Sequence, residues 1–436
     1  MEVYKAKIIT VAAVIFLIIV IVIARILLKL SKGFFLVAGA DFAAIFAVFT
    51  WLYLQYRNDR QRRLIECNSI DSDGKELRME YSFLRKVAGV PTKIRYKELE
   101  AATDNFQSLI GQGASASVYK GKLDDGTLVA VKRITAEQHG EKEFQAEVAA
   151  IASVQHINLV RLLGYCCVVG GPRFLVYEFI HNGSLDAWIF PHGGKHSGFR
   201  GCLGWELRYG VAINVAKALA YLHNDCRSKI LHLDVKPENI LLDENFRAIV
   251  TDFGLSKLIG KDESRVITTV RGTRGYLAPE WLLQRGVSEK CDIFSYGMVV
   301  LEIIGGRRNV RLMEDDEERY WSYFPRIVSE KERQGKLMEI VDERLTENGG
   351  IDEKEVKLLV HVALWCIQED PKLRPNMASV VEMLEGRVVV DQPPETEMII
   401  VDLLSIKQHD RKKNAPLTTT PSASNATLSV SILSGR

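Results

Sequence analysis

The sequence has no CxxC pair, and none of its seven cysteines (Cys67, Cys166, Cys167, Cys202, Cys226, Cys291, Cys366) precedes Cys67. A zinc site or a disulfide framework is therefore not expected, and free thiols in a reducing cytosol suit the bulk of the chain. An excess of one charge is missing as well. The 57 Lys and Arg against 55 Asp and Glu leave a formal net charge of +2. No global field draws the chain to nucleic acid. There is no internal repeat, and residues 1–56 hold most of the uncharged apolar runs. The 436 residues suffice for a large core of one or two lobes with flanking segments.

Two apolar stretches open the chain. "IITVAAVIFLIIVIVIA" runs from Ile8 to Ala24 without a charge, and "FFLVAGADFAAIFAVFTWLYLQY" runs from Phe34 to Tyr56 with one, Asp41. Each is near the roughly 20 residues that span a bilayer. A carboxylate at mid-membrane costs roughly 2.5–3.5 kcal/mol, and each Phe, Leu, Ile or Val returns roughly 0.3–0.6 kcal/mol. The second stretch has eleven such residues, with Asp41 near one end, so insertion is favoured. Trp51, Tyr53 and Tyr56 form an aromatic belt ahead of Arg57, Arg60, Arg62 and Arg63. That cluster places the C-terminal side in the cytoplasm, and the membrane is expected to be the plasma membrane. Lys5 and Lys7 before the first run resemble a secretory signal, although that run is long for one. A two-span hairpin is the alternative; it puts Arg25, Lys29 and Lys32 outside, against the positive-inside tendency. The expected division is a signal-like or first membrane segment at 1–32, a transmembrane helix at 34–56 and a cytosolic juxtamembrane segment at 57–105.

Within 57–105, "RYKELEAATDNF" (95–106) reads as a short amphipathic helix. From about 106 to 167 short Val/Ile/Leu runs and glycine turns read as strands, with "DDG" (124–126) as a hairpin turn. Phe144, Val148 and Ile151 recur at helical spacing and interrupt them. Beyond about Gly183 helical periodicity dominates, as in "WELRYGVAINVAKALAYLHND". A small strand-rich unit thus precedes a larger helical one, an α+β arrangement. Residues 386–436 form a tail, disordered at least through the Ser/Thr-rich "APLTTTPSASNATLSVS". Asn425-Ala426-Thr427 matches a glycosylation acceptor, but a cytosolic tail never meets the enzyme.

Several short motifs carry chemistry. In "IGQGASASVYKG" (110–121), Gly111 and Gly113 let backbone N–H groups approach a phosphate, and Val118 would close over an aromatic base; a plain turn is the simpler reading. Lys132 ends the alternating strand of "VAVKR", on what reads as its buried face. A buried lysine needs a carboxylate, because an unpaired interior charge costs several kcal/mol. Glu147 is the favoured partner and Glu143, one turn earlier, the rival. In "HLDVKPEN", Asp234 can accept a hydroxyl proton, Lys236 can neutralise a moving phosphoryl group and Asn239 offers an oxygen to a hard cation. In "TDFGLSK", Asp252 supplies a metal carboxylate and Gly254 the turn beyond it.

In this order and spacing the motifs resemble the eukaryotic protein kinases over about residues 106–385. The resemblance implies a bilobal kinase fold, ATP and Mg²⁺, and protein substrates. "GQGASASV" is similar to the Gly-rich loop with Ala116 for its third glycine, and "APE" (278–280) closes the activation segment. Ala130, Leu241 and the hinge in "RFLVYEFIHNGSLD", with Tyr177 as gate and Glu178 to Ile180 meeting adenine, are implied for the nucleotide; Asp186 is implied for the ribose. Arg374 is implied to pair with Glu280, Asp292 to brace the catalytic loop, and Thr273 to contact Asp234 and Lys236. "YKELEAATDNF", "HINLVRLLGYC" and "RGTRGYLAPEWL" resemble the plant receptor-like kinases, in the group of the interleukin-receptor-associated kinases and Pelle. The lysine of "DVKPEN" is typical of Ser/Thr kinases. Little chain is left outside the membrane, so a partner receptor with an ectodomain is expected.

Leu233 stands where the family usually has arginine before the catalytic aspartate, as in the non-RD subset. It cannot ion-pair with a phosphate on the activation loop. Two other readings remain: a pseudokinase scaffold, supported by Leu233 and Ala116 alone, and an adaptor acting through its membrane hairpin and tail.

Overall fold

The computed structural model describes Thr50 and residues 91–113, 116–134, 140–152, 154–168, 171–191, 201–260, 270–283, 286–314, 319–346, 350–395 and 398. Apart from Thr50, both apolar stretches lie outside the described residues, as do the Ser/Thr-rich tail, Thr268 and Thr269. Among the described residues no helix is long and apolar enough to cross a membrane. The chain divides into two units, residues 1–81 with 168–172 and residues 82–167 with 173–436. The strands and helices named here all belong to the second.

The first part of this unit is a six-stranded sheet with one main helix. Its elements are β1 (Thr92–Lys93), α1 (Tyr96–Ala102), β2 (Leu109–Gln112), β3 (Ala116–Lys122), β4 (Leu128–Ile134), α2 (Gly140–Ile151), β5 (Leu162–Cys167) and β6 (Arg173–Glu178). The strand order is β1-β5-β6-β4-β3-β2. The β3–β4 hairpin turns at the expected "DDG": Gly126 takes φ +87°, and Asp125 Oδ1 accepts the Thr127 N–H at 3.0 Å. Alternation along β4 sends Val129 and Val131, both fully buried, to one face and Ala130 and Lys132 to the other. Lys132 is enclosed as expected, although on the face opposite the valines. A period of two separates it from the valines, and it faces the cleft with 14% of its side chain exposed.

The packed body begins upstream of residue 106. β1 runs parallel to β5 with Thr92 opposite Gly164, where a Cβ would fall 2.6 Å from Ile94 Cδ1 and the Thr92 carbonyl. Helix α1 realises the expected amphipathic segment. Its Leu99 is fully buried, and Phe106 beyond it stacks on Phe174 with ring centroids 5.4 Å apart. Apolar burial, rather than a linker role, accounts for the periodicity of this stretch.

The second part is mostly helical. It contains α3 (Asp186–Ile189), α4 (Trp205–Ala220), β7 (Lys229–Leu231), β8 (Ile240–Leu242), β9 (Ala248–Val250), β10 (Lys257–Ile259), α5 (Pro279–Leu282), α6 (Glu289–Gly305), β11 (Val310–Glu314), β12 (Arg319–Tyr323), α7 (Phe324–Arg333), α8 (Glu343–Thr346), α9 (Glu353–Cys366) and α10 (Met377–Leu384). Helix α6 is apolar almost all round and buried from Cys291 to Ile304. That pattern marks the central helix of a core. Ser288 caps its start by accepting the Lys290 N–H, and Gly306 ends it at φ +59°. Helices α4 and α9 pack against α6, and α10 packs on α4. The short pairs β8–β9 and β7–β10 frame two loops, residues 232–239 and 251–256. The start of the expected tail lies against α7 and α9: Trp365 Nε1 donates to the Asp391 carbonyl, and Gln368 Nε2 to that of Pro394, each at 3.0 Å.

Candidate active site

Two clusters form the site. In the first, Lys132 Nζ donates to Glu147 Oε1 and Oε2 at 2.9 and 2.8 Å and to Asp252 Oδ1 at 2.7 Å. The strand register holds Lys132 between Val118 and Leu175, and helix α2 brings Glu147 down onto it. The rival carboxylate, Glu143, instead lies 4.0 Å from Arg271. Tyr177 donates its hydroxyl to Glu147 Oε1. Glu147 is only 1% exposed, and burial raises its pKa against the pull of Lys132. Burial also acts to lower that of Lys132, but the charges of Asp252 and Glu147 outweigh it and raise it overall. For Asp252 burial pulls upward, yet Lys132, with help from Lys236, holds the carboxyl down at about 2.

In the second cluster, Thr273 Oγ1 donates to Asp234 Oδ1 at 3.0 Å and accepts from Lys236 Nζ at 2.8 Å. Lys236 Nζ also lies 2.7 Å from Asp234 Oδ2. Asn239 Nδ2 donates to the Asp234 carbonyl at 2.8 Å and to Oδ2 at 2.9 Å, so Oδ1 is the atom left to offer a cation. The clusters are joined through the backbone, where the Thr251 N–H donates to the Asn239 carbonyl at 2.8 Å.

The loops are held in uncommon conformations. Leu233 (φ +65°) and Asp252 (φ +66°) both adopt left-handed backbone, which costs of order 1–3 kcal/mol per residue. Asp292, fully buried at the start of α6, compensates at the first of them. Its carboxylate accepts the His232 N–H at 2.8 Å, the Leu233 N–H at 2.7 Å and the ring Nε2 of His223 at 2.9 Å. Leu233 itself is 4% exposed and belongs to the apolar core.

The nucleotide residues expected from the resemblance sit around these clusters. Val118 pairs with Gly111 and Lys132, and Ala130 lies opposite Tyr177. Leu241 bridges to Ser184. Glu178 ends β6 and Ile180 lies just beyond it, where the Phe179 N–H is committed to the Leu128 carbonyl. Gly113 donates its N–H to the Ala116 carbonyl at 2.8 Å, while residues 114 and 115 lie outside the described residues. Asp186 begins α3, and its buried Oδ1 has no hydrogen-bond partner among the described residues, which suits an incoming hydroxyl. A Cβ on Gly254 would lie 3.4 Å from Asp252 Oδ1 and 3.6 Å from Glu147 Oε2.

His232 opens the "HLDVKPEN" motif, and the sequence alone assigns it no role. Its Nδ1 accepts the Asp234 N–H at 3.2 Å and its Nε2 faces the Thr251 carbonyl at 3.0 Å, so the ring bridges the two loops. Its ring also packs on Phe253, with centroids 4.9 Å apart. Its position two residues before Asp234 is the available signal. His223, nine residues before the motif, gives none.

A sheet-rich lobe over a helical one, with this charged cleft between them, defines a bilobal phosphotransferase of the kinase class. The protein kinase domain family model matches residues 105–384. The chain belongs to the protein kinase family. It is 60% identical over 415 residues to an Arabidopsis thaliana protein named as a probable receptor-like protein kinase, covering 94% of this chain and 92% of that one. It is 46% identical over 346 residues to the Arabidopsis G-type lectin S-receptor-like serine/threonine-protein kinase SD2-5, covering 79% of this chain and 40% of that one. A rice relative, the G-type lectin S-receptor-like serine/threonine-protein kinase LECRK2, is 42% identical over 329 residues, covering 74% and 39%. The chain thus spans nearly all of the first relative and about two fifths of the lectin-type ones.

Proposed function

We propose that the chain is a membrane-anchored serine/threonine kinase, with residues 106–385 as the catalytic core, that moves the γ-phosphoryl group of ATP to a protein Ser or Thr hydroxyl. The observation that carries this reading is the pairing of the Lys132–Glu147–Asp252 cluster with the Asp234–Thr273–Lys236 cluster through the Thr251–Asn239 bond. Lys132, held by Glu147, orients the α- and β-phosphates. Asp234 receives the hydroxyl, aligns it and takes its proton, and Lys236 offsets charge on the moving group. Gly111, Gly113, Val118, Ala130, Tyr177, Glu178, Ile180, Asp186 and Leu241 enclose the nucleotide.

Asn239 Oδ1 and the Asp252 carboxylate form an all-oxygen donor pair suited to a hard cation such as Mg²⁺. When bound there, Mg²⁺ supplies positive charge to the phosphate oxygens. The depressed Asp252 pKa keeps that ligand ionised across the physiological range.

Thr273 couples Asp234 and Lys236, so Thr273→Val is expected to lower kcat by about a hundredfold. Two charge-assisted hydrogen bonds at roughly 1.5 kcal/mol each account for that factor. Thr273→Ser should keep most activity, and steady-state assays of the two variants check both outcomes.

We assign the chain to the non-RD type within the interleukin-receptor-associated kinase and Pelle group. Leu233 packs into the core and brings no cation beside Asp234. The loop is braced instead by the hydrogen bonds to Asp292, and no activation-loop phosphate is required to settle it. Thr268→Ala with Thr269→Ala should therefore leave most basal activity; a loss of about a hundredfold would rule this out. The membrane anchor rests on residues 34–56 and the arginines after them. The partner in this reading is a receptor with an ectodomain, which the receptor-like names of the relatives support; proximity labelling in intact cells tests that.

The competing scaffold reading is separated by radiolabelled phosphate transfer from the full-length chain. Transfer by the wild type and none by Asp234→Asn supports catalysis. Equal, background-level counts for both would support the scaffold.

A further inference from the structure

A third ionic cluster lies beside the reacting groups and is used by none of the steps above. Helix α6 ends at Gly305, and the turn after it presents Arg308. Its guanidinium makes three contacts. One terminal nitrogen donates to Glu238 Oε1 at 2.6 Å, the other to the Tyr276 hydroxyl at 3.0 Å, and the plane lies 4.0 Å from the centroid of the Phe190 ring. Tyr276 in turn donates to Glu302 Oε2 at 2.6 Å, and Glu302 Oε1 accepts the Asn309 N–H at 2.9 Å.

The two residues that Arg308 grips flank the reacting groups from both sides. Glu238 stands two positions after Lys236 and next to Asn239, while Tyr276 stands three positions after Thr273. Lys236 and Thr273 are the partners of Asp234. A protein hydroxyl brought to Asp234 carries flanking chain at about 3.3 Å per residue, so residues one or two positions from it fall within reach of segments this close in sequence to Lys236 and Thr273. Arg308 ion-pairs with Glu238 and reaches a second carboxylate, Glu302, only through the Tyr276 hydroxyl. Glu302 is 1% exposed, and the second oxygen of Glu238 is buried without a partner among the described residues. Burial pushes the Glu302 carboxyl up to about 7, with Arg308 opposing the rise.

We infer that Arg308 is a positioning residue for the protein substrate: it ties the catalytic loop at Glu238 to the post-Thr273 segment at Tyr276 and fixes the gap through which the acceptor chain reaches Asp234. It acts through those two residues and touches no group assigned to the nucleotide. Asn239, adjacent to Glu238, keeps its own bonds to Asp234, to the Lys236 carbonyl and to the Thr251 N–H, so the phosphate side of the cleft is held independently. This inference rests on the site reading above.

The test is a two-substrate analysis of the full-length chain with dephosphorylated casein as the protein probe. Arg308→Ala should lower kcat/KM for casein by about tenfold while the KM for ATP stays within about twofold. Adding Glu238→Gln to Arg308→Ala should cost little more than Arg308→Ala alone, because the tie between the two is already lost. Arg308→Lys, which keeps the charge and loses the planar fork, should fall between, and it decides the matter should the alanine variant not fold. Equal losses toward both substrates, no loss, or fully additive losses on adding Glu238→Gln would each overturn the inference. Asp234→Asn, run alongside, keeps the two failures apart. Activity surviving in Asp234→Asn defeats the site reading itself, whereas an inactive Asp234→Asn beside an unaffected Arg308→Ala defeats only the role of Arg308.

Discussion

Replacing Lys132 by methionine is expected to cut phosphoryl transfer about a thousandfold and to leave the fold standing. Lys132 Nζ is shared between Glu147 and Asp252 at 2.7–2.9 Å. At an effective dielectric of ~20 a unit charge at about 4 Å contributes about 4 kcal/mol, or roughly a thousandfold in rate. Methionine keeps the length and apolar stem of lysine and removes the charge. The fold survives because Glu147 has an alternative to remaining ionised. Burial already favours its neutral form, and its hydrogen bond from Tyr177 persists. Transfer assays together with a thermal scan check both halves; a scan showing the variant unfolded would mean that Lys132 is chiefly structural.

The largest stability effect is expected at Arg374. Arg374→Leu should lower the thermal midpoint by about 10 °C. Arg374 is 1% exposed and grips Glu280 through both terminal nitrogens, at 2.7 and 2.9 Å. Its Nε donates to the Gln368 carbonyl at 2.6 Å, its Nη1 to that of Lys290 at 2.8 Å, and its plane lies over Phe294. Breaking such a pair costs roughly 3–5 kcal/mol because the remaining carboxylate is buried uncompensated. At about 2–4 °C per kcal/mol for a domain of this size, the shift follows. Glu280→Leu added to Arg374→Leu should recover part of it, since no orphan charge then remains. Differential scanning calorimetry of both variants is the check, and a midpoint unchanged in Arg374→Leu would show that the pair carries no net stability.

How far the sequence discloses this architecture depends on the residue. Asp234, Lys236, Asn239 and Asp252 are legible because their spacing is local, within two short loops set off by strands. Glu147 is favoured over Glu143 as the partner of Lys132, and the observed distances agree. That Lys132 is enclosed is legible, but which face it shares is not. Alternation alone does not say which of two faces is cleft and which is core, because β4 is covered on both sides. The bracing by His223 joins residues 69 positions apart, and the Arg308 cluster joins loops 70 and 32 apart. Neither leaves a periodic or local mark, so only the packed structure shows them. The strap of β1 and α1 is half legible: its helical period is visible, but its pairing with β5 depends on the bare backbone at Gly164.

The most direct measurement is a titration of the full-length protein with ATP, with and without Mg²⁺, for the wild type and for Asp252→Asn. With Mg²⁺ present, the wild type should bind more tightly than Asp252→Asn, and chelating the metal should erase most of that difference. Equal affinities in Mg²⁺, or no saturable binding by the wild type, would contradict a cleft in which these two charged clusters close on one metal-loaded triphosphate.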